Sequence, residues 1–162
     1  MERFLIALDC MPGCLKIIDY TVRVLNGMQH FEFVIFHILP TESPDKLRMD
    51  EVQRIEHRHA DRPDLAGYFW REDEEKKMAE CFAKAKEKLV LGGFRPESVS
   101  SDFCVESGGM AGIILARAAE LECTTMVLGR RRLSRVKEFL LGSVSTAVIK
   151  SARRSAIWVI EI

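Results

Sequence analysis

Five short apolar runs punctuate this chain, and they limit its fold more than any other feature. They are Phe4 to Leu8, Phe33 to Leu39, Val99 to Val105, Thr125 to Leu128 and Ala156 to Ile160. The first two and the fourth run almost without polar alternation, as strands buried on both faces do. The third, Val-Ser-Ser-Asp-Phe-Cys-Val, is polar enough to lie toward a sheet edge. Helical periodicity separates them. Leu15, Ile18, Val22 and Leu25 recur at helical spacing, with Gly27 as a stop. Glu72 to Leu91 reads as a long helix whose stripe is Met78, Phe82, Ala85 and Leu89, ended by Gly92-Gly93. A helix from Met110 to about Leu121 turns Ile113, Ile114 and Ala118 inward, and Ser143 to Ser151 is the last. Strand and helix in alternation predict an α/β fold: a five-stranded parallel sheet, helices on both faces, right-handed crossovers. In such sheets ligands bind beyond the carboxyl ends of the strands, where strand order reverses. The pattern itself does not encode that order.

Thr41 to Trp70 interrupts the alternation and is long for a connection, which marks a structured or functional insertion. Lys46 to His59 reads as a short charged helix. Leu65 to Trp70, Leu-Ala-Gly-Tyr-Phe-Trp, is an apolar knot that folds back on the body or covers a partner. His57, His59 and Asp61 fall here, and a surface loop accounts for them better than a metal or catalytic site. His37, inside an apolar strand, reads as a hydrogen-bonded core or rim residue.

The chemistry concentrates between Met126 and Ile149. The strand end Met126-Val127-Leu128 stops at Gly129, a basic loop follows, and Gly142-Ser143-Val144-Ser145 opens a helix. Glycines let backbone N–H groups turn toward a ligand, and the first turn of a helix offers unpartnered N–H groups and a favourable dipole to an anion. Gly129 to Arg154 holds eight Lys or Arg against one acid, Glu138, so the local field suits a polyanion; a solvated basic face is the plainer alternative. Ser143 also has a plain reading as an N-cap, and Asp9, where the first strand runs out, as a cap or turn residue.

This stretch resembles the nucleotide-binding segment of the universal stress protein family, Gly–x2–Gly–x9–Gly–Ser/Thr. Gly129, Gly142 and Ser143 match in type and spacing, and Arg132 stands where the second glycine belongs. The likeness extends over nearly the whole chain. It implies a single domain, residues 1–162, with the insertion at about 41–70. It also implies a three-layer sandwich of the adenine-nucleotide alpha-hydrolase-like kind, with strand order 3-2-1-4-5 and the switch point between strands one and four. The implied ligand is ATP or another adenine nucleotide, with or without Mg. Asp9 would lie near adenine and ribose, Ala7 and Leu8 beside the base, and Ile38 would offer it backbone. Leu128 and Gly129 would lie under ribose and phosphates, and Gly142, Ser143, Val144 and Ser145 would hold the phosphates. Arginine at 132 either fills the phosphate space or grips phosphate in two parallel bonds, as Arg130, Arg131 and Arg135 also could. The resemblance further implies a homodimer through Ala156 to Ile160, and a regulatory role in stress response. The competing reading is a dimeric interaction module of the same fold that binds no nucleotide.

The remaining composition narrows the field. Lys plus Arg (24) equals Asp plus Glu (24), which gives no push toward nucleic acid or membrane, and the arginine run lacks interleaved aromatics. Five cysteines at irregular spacing do not resemble a secreted disulfide framework, and Cys10 and Cys14 alone make a poor zinc site. No basic start leads into a long apolar run, so the expected location is the cytoplasm. There is no GxxxxGK[ST] loop and no GxSxG elbow, so the expectation for catalysis stops at a weak ATPase without an identified base.

Overall fold

The computed structural model describes residues 1–131 and 142–162. The chain runs β1 (Glu2–Ala7), α1 (Lys16–Leu25), β2 (Phe31–Leu39), α2 (Met49–Asp61), α3 (Glu72–Leu91), β3 (Val99–Val105), α4 (Met110–Glu120), β4 (Thr125–Arg130), α5 (Ser143–Ser151) and β5 (Ala156–Glu161). All neighbouring strands pair in parallel, in the order β3-β2-β1-β4-β5. The five apolar runs are the five strands. Their ends shift: β1 begins earlier than its apolar run, and β4 continues through Gly129 to Arg130, pairing Gly129 with Ile160.

Alternation along the strands splits the core. Phe4, Ile6 and Leu8 face one way with Phe33, Ile35 and Val127, and α1 and α3 cover them with Ile17, Ile18, Leu25, Cys81, Ala85 and Leu89. Leu5, Val34, Phe36, Met126 and Leu128 face the other way, under Ile114 and Ala118 of α4 and Val148 of α5. A strand can be apolar throughout only if both faces are covered, which is why these runs showed no alternation. In α3 the buried stripe is Met78, Cys81, Ala85 and Leu89; Phe82 is half-buried and packs beside it. Phe4 anchors the first layer, with the rings of Phe31, Phe33 and Trp158 at 5.4, 5.6 and 5.3 Å.

The 41–70 segment builds a third cluster at the carboxyl ends of β2 and β3, where Leu39 and Val105 meet Ile55, Leu65, Trp70 and Met78. The apolar knot therefore folds back: Leu65 and Trp70 are buried, and Trp70 Nε1 donates to Glu75 at 3.0 Å. His57 and His59 sit on α2 and not in a loop, each bonded to a backbone carbonyl, Gln53 and Tyr68 respectively. Just after α2, Arg62 reaches β3. Its Nη2 donates to the Phe103 carbonyl at 3.0 Å, its guanidinium lies 5.2 Å from the Phe103 ring, and it shares Asp102 with Arg117 of α4. An exposed sheet edge is a pairing hazard, and this insertion covers part of the β3 edge.

Candidate functional site

The chain leaves β1 for β2 through α1 on one face. It returns from β3 to β4 through α4 on the other. Strand order therefore reverses between β1 and β4, and a crevice opens beyond their carboxyl ends. A cleft of about 510 Å³ lies there. Ala7, Leu8 and Asp9 line it at the end of β1, Ile38 in β2, Leu128 and Gly129 in β4, and Gly142, Ser143, Val144 and Ser145 at the start of α5. Ten residues singled out from sequence are thus brought together; Arg132 and Arg135 lie outside the described residues.

The cleft also takes residues the sequence did not offer. Met11, Ile17, Met110, Ile114 and Ile162 make much of its wall apolar. His37, Glu74 and Glu106 add polar groups. Glu74 sits in the first turn of α3, one charge among many on a polar helix face, and no local signal marks it.

At the start of α5, Gly142 is the N-cap and Ser143 the first helical residue, which corrects the reading of Ser143 as the cap. Thr146 N bonds to Gly142 O at 2.9 Å, and the N–H groups of Ser143, Val144 and Ser145 have no acceptor inside the helix. Such a turn is electrostatically suited to negative charge.

Asp9 is engaged by its own chain. Arg131 Nε donates to Asp9 Oδ2 at 2.8 Å and Nη2 to Oδ1 at 3.0 Å, while Nη1 donates to the Pro12 carbonyl at 2.9 Å. Met11 N also donates to Asp9 Oδ1, at 3.0 Å, so the turn role foreseen for Asp9 is present as well. Burial pushes the Asp9 carboxyl up, and the bonds from Arg131 and Met11 outweigh it, leaving its pKa below the ordinary 3.8. Arg130 is paired with Glu161 at 3.1 Å. Both arginines line the cleft, and each is engaged with a carboxylate of its own chain. These two pairs form because each acid lies at the end of a strand adjacent to β4.

His37 is 7% exposed and its Nδ1 lies 2.7 Å from the Leu8 carbonyl, as a hydrogen-bonded rim residue should. Burial lowers its pKa from 6.5; the Leu8 bond and the Asp9 and Glu74 charges act the other way without cancelling it. In the core layer beneath α1 and α3, Cys14 Sγ and Cys81 Sγ stand 3.6 Å apart, and all five cysteines are free thiols. Among the described residues no cluster of His, Cys, Asp or Glu is arranged to hold a metal ion, and no helix is long and apolar enough to cross a membrane.

Among curated proteins no relative matches. Solved structures do. A universal stress protein from Archaeoglobus fulgidus aligns with TM-score 0.66 at 15% identity, covering 99% of this chain and 93% of its own. A structure of the universal stress protein from Archaeoglobus fulgidus in complex with dAMP gives TM-score 0.63 at 14% identity, covering 99% and 98%. A universal stress protein in complex with cAMP gives 0.60 at 14% identity, covering 99% and 96%. At such identities the likeness speaks for the fold. The family model described as "Universal stress protein family" matches residues 1–159, nearly the whole length, and on that match this chain belongs to the universal stress protein family.

Proposed function

We propose that the chain is an adenine-nucleotide-binding protein with a regulatory role in the stress response, and that the cleft at the switch point is its seat. The observation that carries this reading is convergence. Residues from β1, β2, β4 and α5, far apart in sequence, line one cleft of about 510 Å³ that ends on an open helix N-terminus. That volume suits a small organic ligand, and apolar walls with a few polar groups suit a base and a sugar. Two members of the fold are described as complexes with dAMP and cAMP, which supports an adenine nucleotide here. Ala7 and Leu8 flank the base, Ile38 offers it backbone, and Asp9 takes a ribose hydroxyl. Leu128 and Gly129 lie beneath ribose and phosphates, and Gly142 to Ser145 hold the phosphates. The occupant is ATP or another adenine nucleotide, with or without Mg, and arginine in place of the second motif glycine, at 132, leaves binding possible and alters which phosphates are held. Residues 1–162 act as one domain, in the cytoplasm, as a homodimer through β5.

The test is direct. The purified protein is denatured and the supernatant chromatographed for released nucleotide. Melting is then followed with ATP, AMP and no ligand. A ligand at 100 times its Kd stabilises by about 2.7 kcal/mol, roughly 5–10 °C in a chain of this size. A flat response to every nucleotide favours the second reading, an interaction module that binds none. One observation speaks for that module: the carboxylate assigned to the ribose is already bonded to Arg131.

A further inference from the structure

Asp9 presents both carboxylate oxygens, side by side, to the Arg131 fork. A ribose diol donates two hydrogen bonds and seeks that same paired edge of a carboxylate. Sugar and guanidinium therefore compete for one face of Asp9. The guanidinium is further fixed by the Pro12 carbonyl, so it joins the residue that follows β4 to the turn after β1, with Asp9 and Arg131 both in the lining of the cleft. Both partners are accessible: the Arg131 side chain is 38% exposed and that of Asp9 45%. Ion pairs this exposed are weak, so a ligand group of the right charge can take one partner away.

We infer that Arg131 is a specificity-determining latch, which holds Asp9 against a sugar and releases it when a phosphate chain in the same cleft draws the guanidinium off. The inference rests on the nucleotide reading of the cleft and adds what the cleft selects. A nucleoside that takes Asp9 leaves the guanidinium without its carboxylate and offers nothing in return. A nucleotide offers phosphate oxygens, which accept the same two parallel bonds that Asp9 accepted. The exchange conserves the arginine's hydrogen bonds and frees the carboxylate for the ribose. Sugar and phosphate recognition are thereby coupled, and discrimination comes from the cost imposed on the wrong ligand as well as from contacts to the right one. The first turn of α5, lining the same cleft, supplies the second hold on the phosphates.

Calorimetric titration of the full chain with adenosine, ATP and inorganic tripolyphosphate tests this. The wild type binds ATP far more tightly than adenosine. Arg131→Gln tightens adenosine and weakens ATP, narrowing their ratio by about tenfold or more. Asp9→Asn, which frees Arg131, tightens tripolyphosphate severalfold. Arg131→Lys keeps the charge without the fork; it tightens adenosine while retaining most ATP affinity, and it serves if the glutamine variant does not fold by circular dichroism. Adenosine and ATP changing by the same factor in both Arg131 variants overturns the latch, as does tripolyphosphate binding that Asp9→Asn leaves unchanged. Failure of the nucleotide reading looks different: no heat from adenosine or ATP with the wild type or any variant. A wild type that binds ATP but is silent to adenosine, beside an adenosine-binding Arg131→Gln, supports both; a wild type silent to ATP beside that variant keeps the nucleotide reading and overturns the latch.

Discussion

A methyl group added at Gly129 would stand 2.7 Å from Ile17 Cδ1 and 3.1 Å from Ile162 Cδ1, whereas one added at Gly142 meets nothing within 4 Å among the described residues. Neither glycine has a left-handed backbone. Gly129 is therefore small because α1 and the chain end close over β4 at that point. Gly142, with φ −52° and ψ 152°, needs glycine neither for its backbone nor for its neighbours among the described residues. What remains at Gly142 is the open space over the first turn of α5, which the proposed phosphates require. Crossed effects follow. Gly129→Ala forces two isoleucine tips aside and lowers stability by about 1–3 kcal/mol. Gly142→Ala costs under about 1 kcal/mol in melting, yet weakens ATP binding by tenfold or more, because the methyl sits at the cleft wall. Thermal melts and ATP titrations of both variants check this; equal ATP affinity in Gly142→Ala and wild type refutes the role given to that glycine. Both glycines were visible in the motif. The reason for Gly129 was not, because it depends on Ile17 and Ile162, remote in sequence. The Asp9–Arg131 pair was hidden for the same reason, with each partner carrying its own local explanation.

At the scale of elements, the strands were legible because a sheet covered on both faces demands unbroken apolar runs. Phe33 to Leu39 announced β2 this way, and Val99 to Val105 announced an edge by its serines and aspartate. The insertion resisted because α2 buries a single residue, Ile55, and leaves no stripe to read. Its position is set instead by Arg48, Arg54 and Arg58, which pair with Glu72 and Glu75 of α3, and by Trp70. The two sheet edges are treated differently. The insertion reaches over β3, while among the described residues no strand pairs with the outer side of β5. Ala156 N and Ile162 N donate inward, to Thr124 O and Arg130 O. By the two-residue period of a strand, the N–H groups of Ile157 and Val159 point outward. Val159→Pro thus removes an outward donor and spares the ladder to β4, which an edge strand tolerates. Sedimentation equilibrium should find the wild type dimeric and Val159→Pro monomeric, with melting lowered by no more than about 2–4 °C for each kcal/mol lost. A dimer that survives the proline lies on another surface.

Over the whole molecule, buried titratable groups set the pH range in which the fold is most stable. Burial lowers the His37 pKa from 6.5. Below that value the unfolded chain takes up a proton that the folded chain refuses, so stability falls as pH drops through and below 6.5. Asp9, held under its ordinary 3.8 by Arg131, contributes above that pH and is lost only as pH falls further. The thiols act at the other end. Burial, with Cys81 beside it, pushes Cys14 from 9.0 up to about 12. Burial pushes Cys123 up to about 11. The hydrogen bond to Cys10, with burial, raises Cys81 strongly. Above 9.0 the unfolded chain gives up these protons and the folded chain keeps them, so stability declines as pH climbs from about 9 toward 12. The melting temperature should therefore hold a plateau between about 6.5 and 9 and fall on both sides, each kcal/mol lost shifting it by about 2–4 °C. The two flanks have separate origins. His37→Gln flattens the acid flank between pH 6.5 and 5 and leaves the alkaline one as it was. Cys14→Ala with Cys81→Ala makes the alkaline flank shallower and leaves the acid one as it was, the remaining alkaline slope belonging to Cys123. Unfolding curves from pH 4.5 to 10.5 on the three proteins decide the matter. An alkaline decline as steep in the double alanine variant as in the wild type would move its origin away from Cys14 and Cys81.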